Sequence, residues 1–255
     1  MLCETNMAPT FATLAARNRQ PELMDQPGLD RVLHDHALRS LSRINWLSRT
    51  SGMIWKPIRR LAHEARLDRP LRILDVACGG GDVALRLARL AGRDNISVEV
   101  DGCDINSVAV DHAREEALRR RAGSVGFFLH DAVAGPLPAG YDVVICSLFL
   151  HHLDDAQAEQ MLRRMAAAAG RMIVISDLRR SRFAYAMAWA ACHAVTRSPI
   201  VHVDGPLSVA AAFTVLEARG LADRAGLGQA TIMRYWPERF LLDGGPRSVP
   251  PDPEA

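Results

Sequence analysis

Leu71-Arg72-Ile73-Leu74-Asp75-Val76-Ala77-Cys78-Gly79-Gly80-Gly81-Asp82-Val83-Ala84 is the stretch from which the rest of this 255-residue chain can be read. Its first half is almost continuously apolar, which suits a strand buried on both faces of a parallel sheet. Three glycines follow, and then Val83, Leu87 and Leu90 recur at helical spacing. A strand, a glycine turn and a helix hold a polar or charged ligand against the backbone N–H groups of a helix start. Gly79, Gly81 and Ala84 formally satisfy the dinucleotide pattern G-x-G-x-x-G/A, which is a weak signal by itself. Asp75 points elsewhere. A carboxylate near the end of an apolar strand is unfavourable unless a cation or several donors meet it. A pyrophosphate would aggravate that charge, whereas an α-ammonium group would relieve it.

Residues 74–81 resemble motif I of the class I S-adenosylmethionine-dependent methyltransferases, L-D-x-G-x-G-x-G, with Ala77 standing where glycine is commoner. The resemblance implies S-adenosylmethionine as cofactor, its methionine part surrounded by Asp75, Ala77, Gly79 and Gly81. It also implies the fold: an α/β protein with a seven-stranded, mostly parallel Rossmann-like sheet and helices on both faces.

Downstream, residues 96–104 read as a second strand ending in Asp104, with Ile105 behind it. A carboxylate there suits the vicinal hydroxyls of a ribose. It could also cap the following helix, but Asn106 is the better cap. Residues 107–121 read as a charged, exposed helix and 124–129 as a third strand. His130-Asp131-Ala132 resembles the family's G-D-A, which implies that Asp131 and the Ala132 N–H read the adenine edge. Residues 141–147 are a fourth strand, and Ser147 at its end completes the expected cofactor set.

Leu148-Phe149-Leu150-His151-His152-Leu153-Asp154-Asp155 follows, where open α/β sheets place their ligands. Asp154 or Asp155 caps the next helix. The segment looks like the C/L-H-D-W-S-D segment of plant phenolic O-methyltransferases, whose first histidine is the general base. The resemblance makes His151 the first candidate for catalysis, with packing or substrate contact as the alternative. His202, two residues before Asp204, is a second candidate, although H-x-D also suits an ordinary turn. Arg179 and Arg180 either meet an acidic substrate group or flank an apolar helix at the surface.

Composition narrows the function. Formal charge is only +2 and Lys56 is the sole lysine, so the basic residues are nearly all arginines interspersed with acids. That argues against a dedicated nucleic-acid binder, which would show a concentrated basic surface. Five scattered cysteines without C-x-x-C argue against a disulfide framework or zinc site and for a reducing cytoplasm. No metal cluster and no signal peptide are evident. The expected organisation is a helical N-terminal cover over 1–68, a methyltransferase core over 69–243 with a lid at 178–219, and a disordered tail at 244–255. Within the cover, helices run through Val32 to Ile44 and through 52–67. Within the lid, the apolar run 183–195 is too short to span a bilayer, and a further helix occupies 207–219. Residues 229–235 and 239–242 form a closing antiparallel pair.

The expected activity is methyl transfer to a small hydrophobic acceptor, preferably an aromatic hydroxyl of a polyketide, resorcinol or quinol. The apolar cover and lid motivate that choice, and the lid sequence is similar to bacterial methyltransferases of polyketide and lipid-quinone pathways. The alternatives are a C-methyltransferase of a quinone or lipid ring in peripheral contact with a membrane surface, and a binding protein that keeps only the fold.

Overall fold

The structure is a computed structural model that describes residues 14–25, 36–38, 40, 43–44 and 49–245. Strand β1 (Leu71–Val76) lies at its centre, with every residue except Arg72 buried. Parallel to it run β2 (Val98–Asp104) on one side and β4 (Tyr141–Ser147) on the other. β3 (Val125–Leu129) lies outside β2, and β5 (Ala169–Leu178) lies outside β4, both parallel. A hairpin of β6 (Thr231–Tyr235) and β7 (Arg239–Gly244) closes the sheet by antiparallel pairing of β7 with β5. The order β3-β2-β1-β4-β5-β7-β6 reverses direction between β1 and β4. Such a switch point opens a crevice beyond the carboxyl ends of the strands.

Parallel neighbours need crossovers, and the sequence supplies helices for them. α1 (Thr50–Ala65) precedes the sheet, and α2 (Asp82–Arg93), α3 (Ser107–Arg120) and α4 (Asp155–Ala168) follow β1, β2 and β4. Alternate strand residues point to opposite faces, and both sets are apolar. Ile73, Val143, Ile145 and Val174 pack with Ile54, Ile58 and Leu87 on one face. Leu74, Val144, Ile173 and Ile175 pack with Met161, Leu162 and Phe213 on the other. Each fully buried side chain of this size contributes about 1.5–3 kcal/mol of burial free energy. The expected sheet and its two helical faces are therefore present. Asn106 caps α3, accepting from the Val108 and Ala109 N–H groups, and Asp154 caps α4 in a capping box with Gln157.

The reading of 199–224 needs correction. Instead of one helix over 207–219, α5 (Arg182–Val195) is followed by α6 (Pro199–Ala211) and α7 (Val215–Arg224). Gly205-Pro206 reads as a turn signal, yet it lies inside α6. A Cβ on Gly205 would stand 2.4 Å from the Cys192 sulfur, so close α5–α6 packing requires the glycine and overrides the local preference. The chain breaks instead at Thr214, which caps α7 with Glu217. No single helix among the described residues is long and apolar enough to cross a membrane. Most of the expected Val32 to Ile44 helix lies outside the described residues, as do residues 1–13 and 246–255 of the expected irregular start and disordered tail. Residues 36–38, 40 and 43–44 are helical.

Candidate active site

A cavity of about 1090 Å³ lies over the carboxyl ends of β1, β2 and β4, walled by α5, α6 and the segment 14–25. Asp75, Ala77, Gly79, Asp104, Ile105, Asp131, Ala132, Ser147 and His151 all line it. Gly81 and His202 do not.

At the β1 end the wall carries unmet polar groups. Asp75 is 1% exposed, and neither carboxylate oxygen has a hydrogen-bond partner among the described residues. Burial, together with the negative charges of Asp82 and Asp104, outweighs the nearby Ala84 N–H, which makes no close hydrogen bond, and holds its pKa well above the ordinary 3.8. The Ser147 hydroxyl and His130 Nε2 are likewise buried without a partner on this wall. Gly79 adopts φ +52°, with nothing within 4 Å of where a Cβ would stand, so a ligand can approach its backbone. Ala77 also sits at positive φ, 54°, which strains a residue with a Cβ by about 1 kcal/mol. The alanine that stands in place of glycine is therefore not neutral.

The remaining cofactor candidates divide. On Gly81 (φ +74°) a Cβ would stand 2.5 Å from the Phe127 ring, so this glycine serves strand–helix packing rather than the cavity. Asp104 ties two loops together: the Gly79 N–H donates to Oδ2 at 2.8 Å and the Asn106 N–H to Oδ1 at 2.9 Å. Asp131 accepts the Val133 and Ala134 N–H groups at 2.9 and 3.0 Å, which fixes the turn after β3. Ile105 is 65% exposed, and Ala132 is buried.

The β4 end is built differently, with its polar groups already met. The turn Leu150–His152 buries His151 to 3% exposure beside Asp177, itself 1% exposed at the end of β5. Asp177 Oδ1 lies 2.7 Å from His151 Nδ1. The His151 N–H donates to Oδ2 at 3.0 Å and the Leu178 N–H to Oδ1 at 2.6 Å. Burial alone would raise the Asp177 pKa, but the His151 ring and these donors outweigh it and leave it below the ordinary value. Asp177 is therefore ionised at neutral pH and accepts a hydrogen bond from Nδ1–H, which leaves Nε2 on the cavity side. There Glu22 Oε1 lies 3.7 Å from His151 Nε2 and 4.0 Å from His152 Nε2.

Glu22 arrives on a segment pinned from several directions. Arg17 donates to the carbonyls of Ala211, His151 and Leu153 at 2.6, 2.9 and 2.6 Å, and its guanidinium lies 3.6 Å over the Phe213 ring. Asp204 accepts the N–H groups of Leu23 and Met24 at 2.8 and 3.0 Å. The Ser208 hydroxyl donates to Glu22 Oε1 at 2.5 Å.

The second candidate pair does not line the cavity. His202 and Asp204 lie two positions apart on α6, which places them on opposite sides of a helix. His202 Nε2 donates to the Thr196 carbonyl at 2.8 Å, and its ring stacks on His193. Asp204 holds the N-terminal segment instead. Neither arginine is a surface flank: Arg179 pairs with Glu238, and buried Arg180 donates to the Leu14 and Ala212 carbonyls and to Glu217. Cys78, Cys103, Cys146 and Cys192 are free and buried, with burial pushing Cys103 to about 12. The sequence reading missed Glu22, Ser208 and the role of Asp177. An acid ending an apolar strand marked Asp75 and Asp104, and the same signal marks Asp177. Nothing local marks Glu22.

Comparison with known proteins agrees with the geometry. A methyltransferase-domain family model matches residues 73–170. The chain is 31% identical over 117 residues to a ubiquinone biosynthesis O-methyltransferase of Methylococcus capsulatus, covering 46% of this chain and 47% of that one. It is 34% identical over 119 residues to a demethylmenaquinone methyltransferase of Deinococcus radiodurans, with the same coverage. The match spans about half the length of these relatives. Among solved structures, an O-methyltransferase from neocarzinostatin biosynthesis, crystallised with S-adenosyl-L-homocysteine and 1,4-dihydroxy-2-naphthoic acid, superposes with a TM-score of 0.59. It is 19% identical, and the superposition covers 88% of this chain and 62% of that one. The glycine turn after β1, the sheet order and the family match together place a methyltransferase domain on residues 73–170.

Proposed function

We propose that the chain transfers a methyl group from S-adenosylmethionine to an aromatic hydroxyl of a small hydrophobic acceptor, with His151 as the general base. The observation that carries this reading is the His151–Asp177 pair, whose remaining imidazole nitrogen faces a chamber with apolar walls. When bound, the cofactor supplies an activated methyl group on a cationic sulfur. Its ammonium group fits the unmet Asp75 carboxylate, and the open backbone at Gly79 admits its amino-acid end. Asp104, Ile105 and the Asp131-Ala132 pair line the part of the cavity that would take its nucleoside.

The protein's own work is alignment, dehydration and proton removal. Met24, Leu38, Ile44, Met187, Ala191 and Val195 line the acceptor side, which suits an aromatic or lipid-like ring. His151 Nε2 accepts the hydroxyl proton, and ionised Asp177 stabilises the resulting imidazolium. Relatives named for ubiquinone and menaquinone steps support an aromatic acceptor of quinol type.

Calorimetric titration with S-adenosylmethionine and S-adenosyl-L-homocysteine, with NAD as control, tests the first half. Binding of NAD alone, or of none of the three, would overturn it. Turnover of a panel of phenols and quinols, with the methylated atom located by NMR, tests the second. Methyl groups found only on ring carbon would replace O-methylation by C-methylation.

A second reading concerns where the acceptor comes from. Phe183 and Trp236 are 58% and 73% exposed, their rings are 6.4 Å apart, and Trp236 lines the cavity. Exposed aromatics at a cavity mouth suit contact with a membrane surface that carries the substrate. Co-sedimentation with anionic vesicles, lost in a Phe183→Ser, Trp236→Ser double variant, is the expected result, and no pelleting of the parent protein would end this reading.

A further inference from the structure

We propose that Glu22, His151 and His152 form a divalent-cation site inside the acceptor chamber. One ligand atom from each of the three residues lies within 4.8 Å of the others. Cations bound by imidazole and carboxylate at about 2.0–2.2 Å hold their ligand atoms about 3–4.4 Å apart, so small side-chain movements complete the set. Glu22 Oε1 already lies within 4.0 Å of both imidazole nitrogens.

The surroundings are those of a built site. His151 Nδ1–H donates a hydrogen bond to buried Asp177, the outer-shell bond that fixes a ligating histidine's tautomer and makes its other nitrogen a better ligand. Ser208 orients Glu22, while Arg17 and Asp204 pin the segment that carries it. Two imidazoles and one carboxylate suit borderline first-row ions such as Zn²⁺, Co²⁺ or Fe²⁺ rather than Mg²⁺ or Ca²⁺. Three protein ligands leave coordination positions open, and these face the chamber.

The proposal extends the reading of this chamber as the acceptor site and depends on it only for the identity of the acceptor. It names an acceptor class: an arene with two adjacent oxygens, able to chelate the cation. Coordination lowers the pKa of a hydroxyl, whose proton then leaves to solvent. With the cation bound, His151 Nε2 is its ligand and positions the acceptor oxygen instead of taking its proton.

The test uses protein without a histidine tag, stripped with chelator and titrated with Zn²⁺ by calorimetry and with Co²⁺ by visible absorption. One equivalent is expected to bind, with a Co²⁺ ligand-field band. Glu22→Gln and His152→Ala should each weaken binding tenfold or more, on the order of the loss seen when a metal site is disturbed. His202→Ala should change nothing, which removes the His193–His202 pair as the source. Circular dichroism and S-adenosyl-L-homocysteine titration of every variant check that the fold persists. No cation binding by parent protein that binds S-adenosyl-L-homocysteine would overturn the cation site alone, as would equal binding by the Glu22 and His152 variants. Cation binding without S-adenosyl-L-homocysteine binding would leave the site standing and overturn the methyl-transfer reading.

Discussion

The two ends of the cavity hold their acids in opposite ways. Asp75, at the end of β1, is buried, and its carboxylate oxygens have no close hydrogen-bond partner among the described residues. Asp177, at the end of β5 and equally buried, meets His151 Nδ1 and two backbone N–H groups. Both side chains are Asp at the end of an apolar parallel strand, and their surroundings shift their pKa values in opposite directions. An unmet buried charge is a place waiting for a cation; a met one is a fixed part of the machinery. The contrast separates binding from chemistry on the same sheet edge.

The comparison can be broken by substitution, beginning with the largest effect. His151→Asn should lower turnover by about 10²–10⁴-fold, the contribution of a positioned base, while S-adenosyl-L-homocysteine affinity stays unchanged. An equal loss of affinity would erase the division of labour between the two ends. Asp75→Asn should weaken cofactor binding about a hundredfold, because it removes one partner of a buried charge pair. Above the raised pKa of Asp75 the same change should also raise the melting temperature of the ligand-free protein, since there the unmet charge is gone.

pH sharpens the contrast. The folded pKa of Asp75 lies above its unfolded value, so the native state binds more protons than the unfolded chain between the two. Stability of the ligand-free protein should fall as pH rises from about 3.8 towards the raised pKa. Asp177 has the opposite sign: its contribution is present above about 3.8 and is lost as pH falls through its lowered pKa. Thermal melts against pH should therefore show a decline on the alkaline side of 3.8 that Asp75→Asn abolishes. A decline that survives the substitution would mean that Asp75 is not its source.

Arg180→Met should destabilise by about 2–3 kcal/mol, since it strips the Leu14 and Ala212 carbonyls of their donor. It should leave acceptor preference unchanged, whereas a lost preference for acidic acceptors would restore Arg180 to the site. Ala77→Gly should stabilise by about 0.5 kcal/mol, the relief of positive-φ strain less the entropy of glycine. His202→Ala should alter turnover less than about twofold, in keeping with a half-buried substitution away from the cavity.

How much could be read beforehand follows the range of the forces involved. Strand β4 was legible to the residue and β1 to within one, because a buried parallel strand must be apolar along its length. Asp75 was legible because a charge in such a strand is an exception that chemistry has to answer. The course of 199–224 differs from the single helix expected over 207–219, because α6 starts upstream at Pro199 and only contact with Cys192 shows why Gly205 is needed within it.

The sequence by itself determined the sheet, its helical faces, the glycine turn, the strand-end acids and the prominence of His151, since each rests on neighbours within a few residues. Only the tertiary structure decided that Asp177 and not Asp204 holds a histidine, and that Arg180 is a buried brace. It also decided that Gly81 serves packing and that Glu22 stands before the histidine pair. Those outcomes depend on which residues distant in the chain are brought within 4 Å of one another. Long-range packing sets that, and no local pattern carries it.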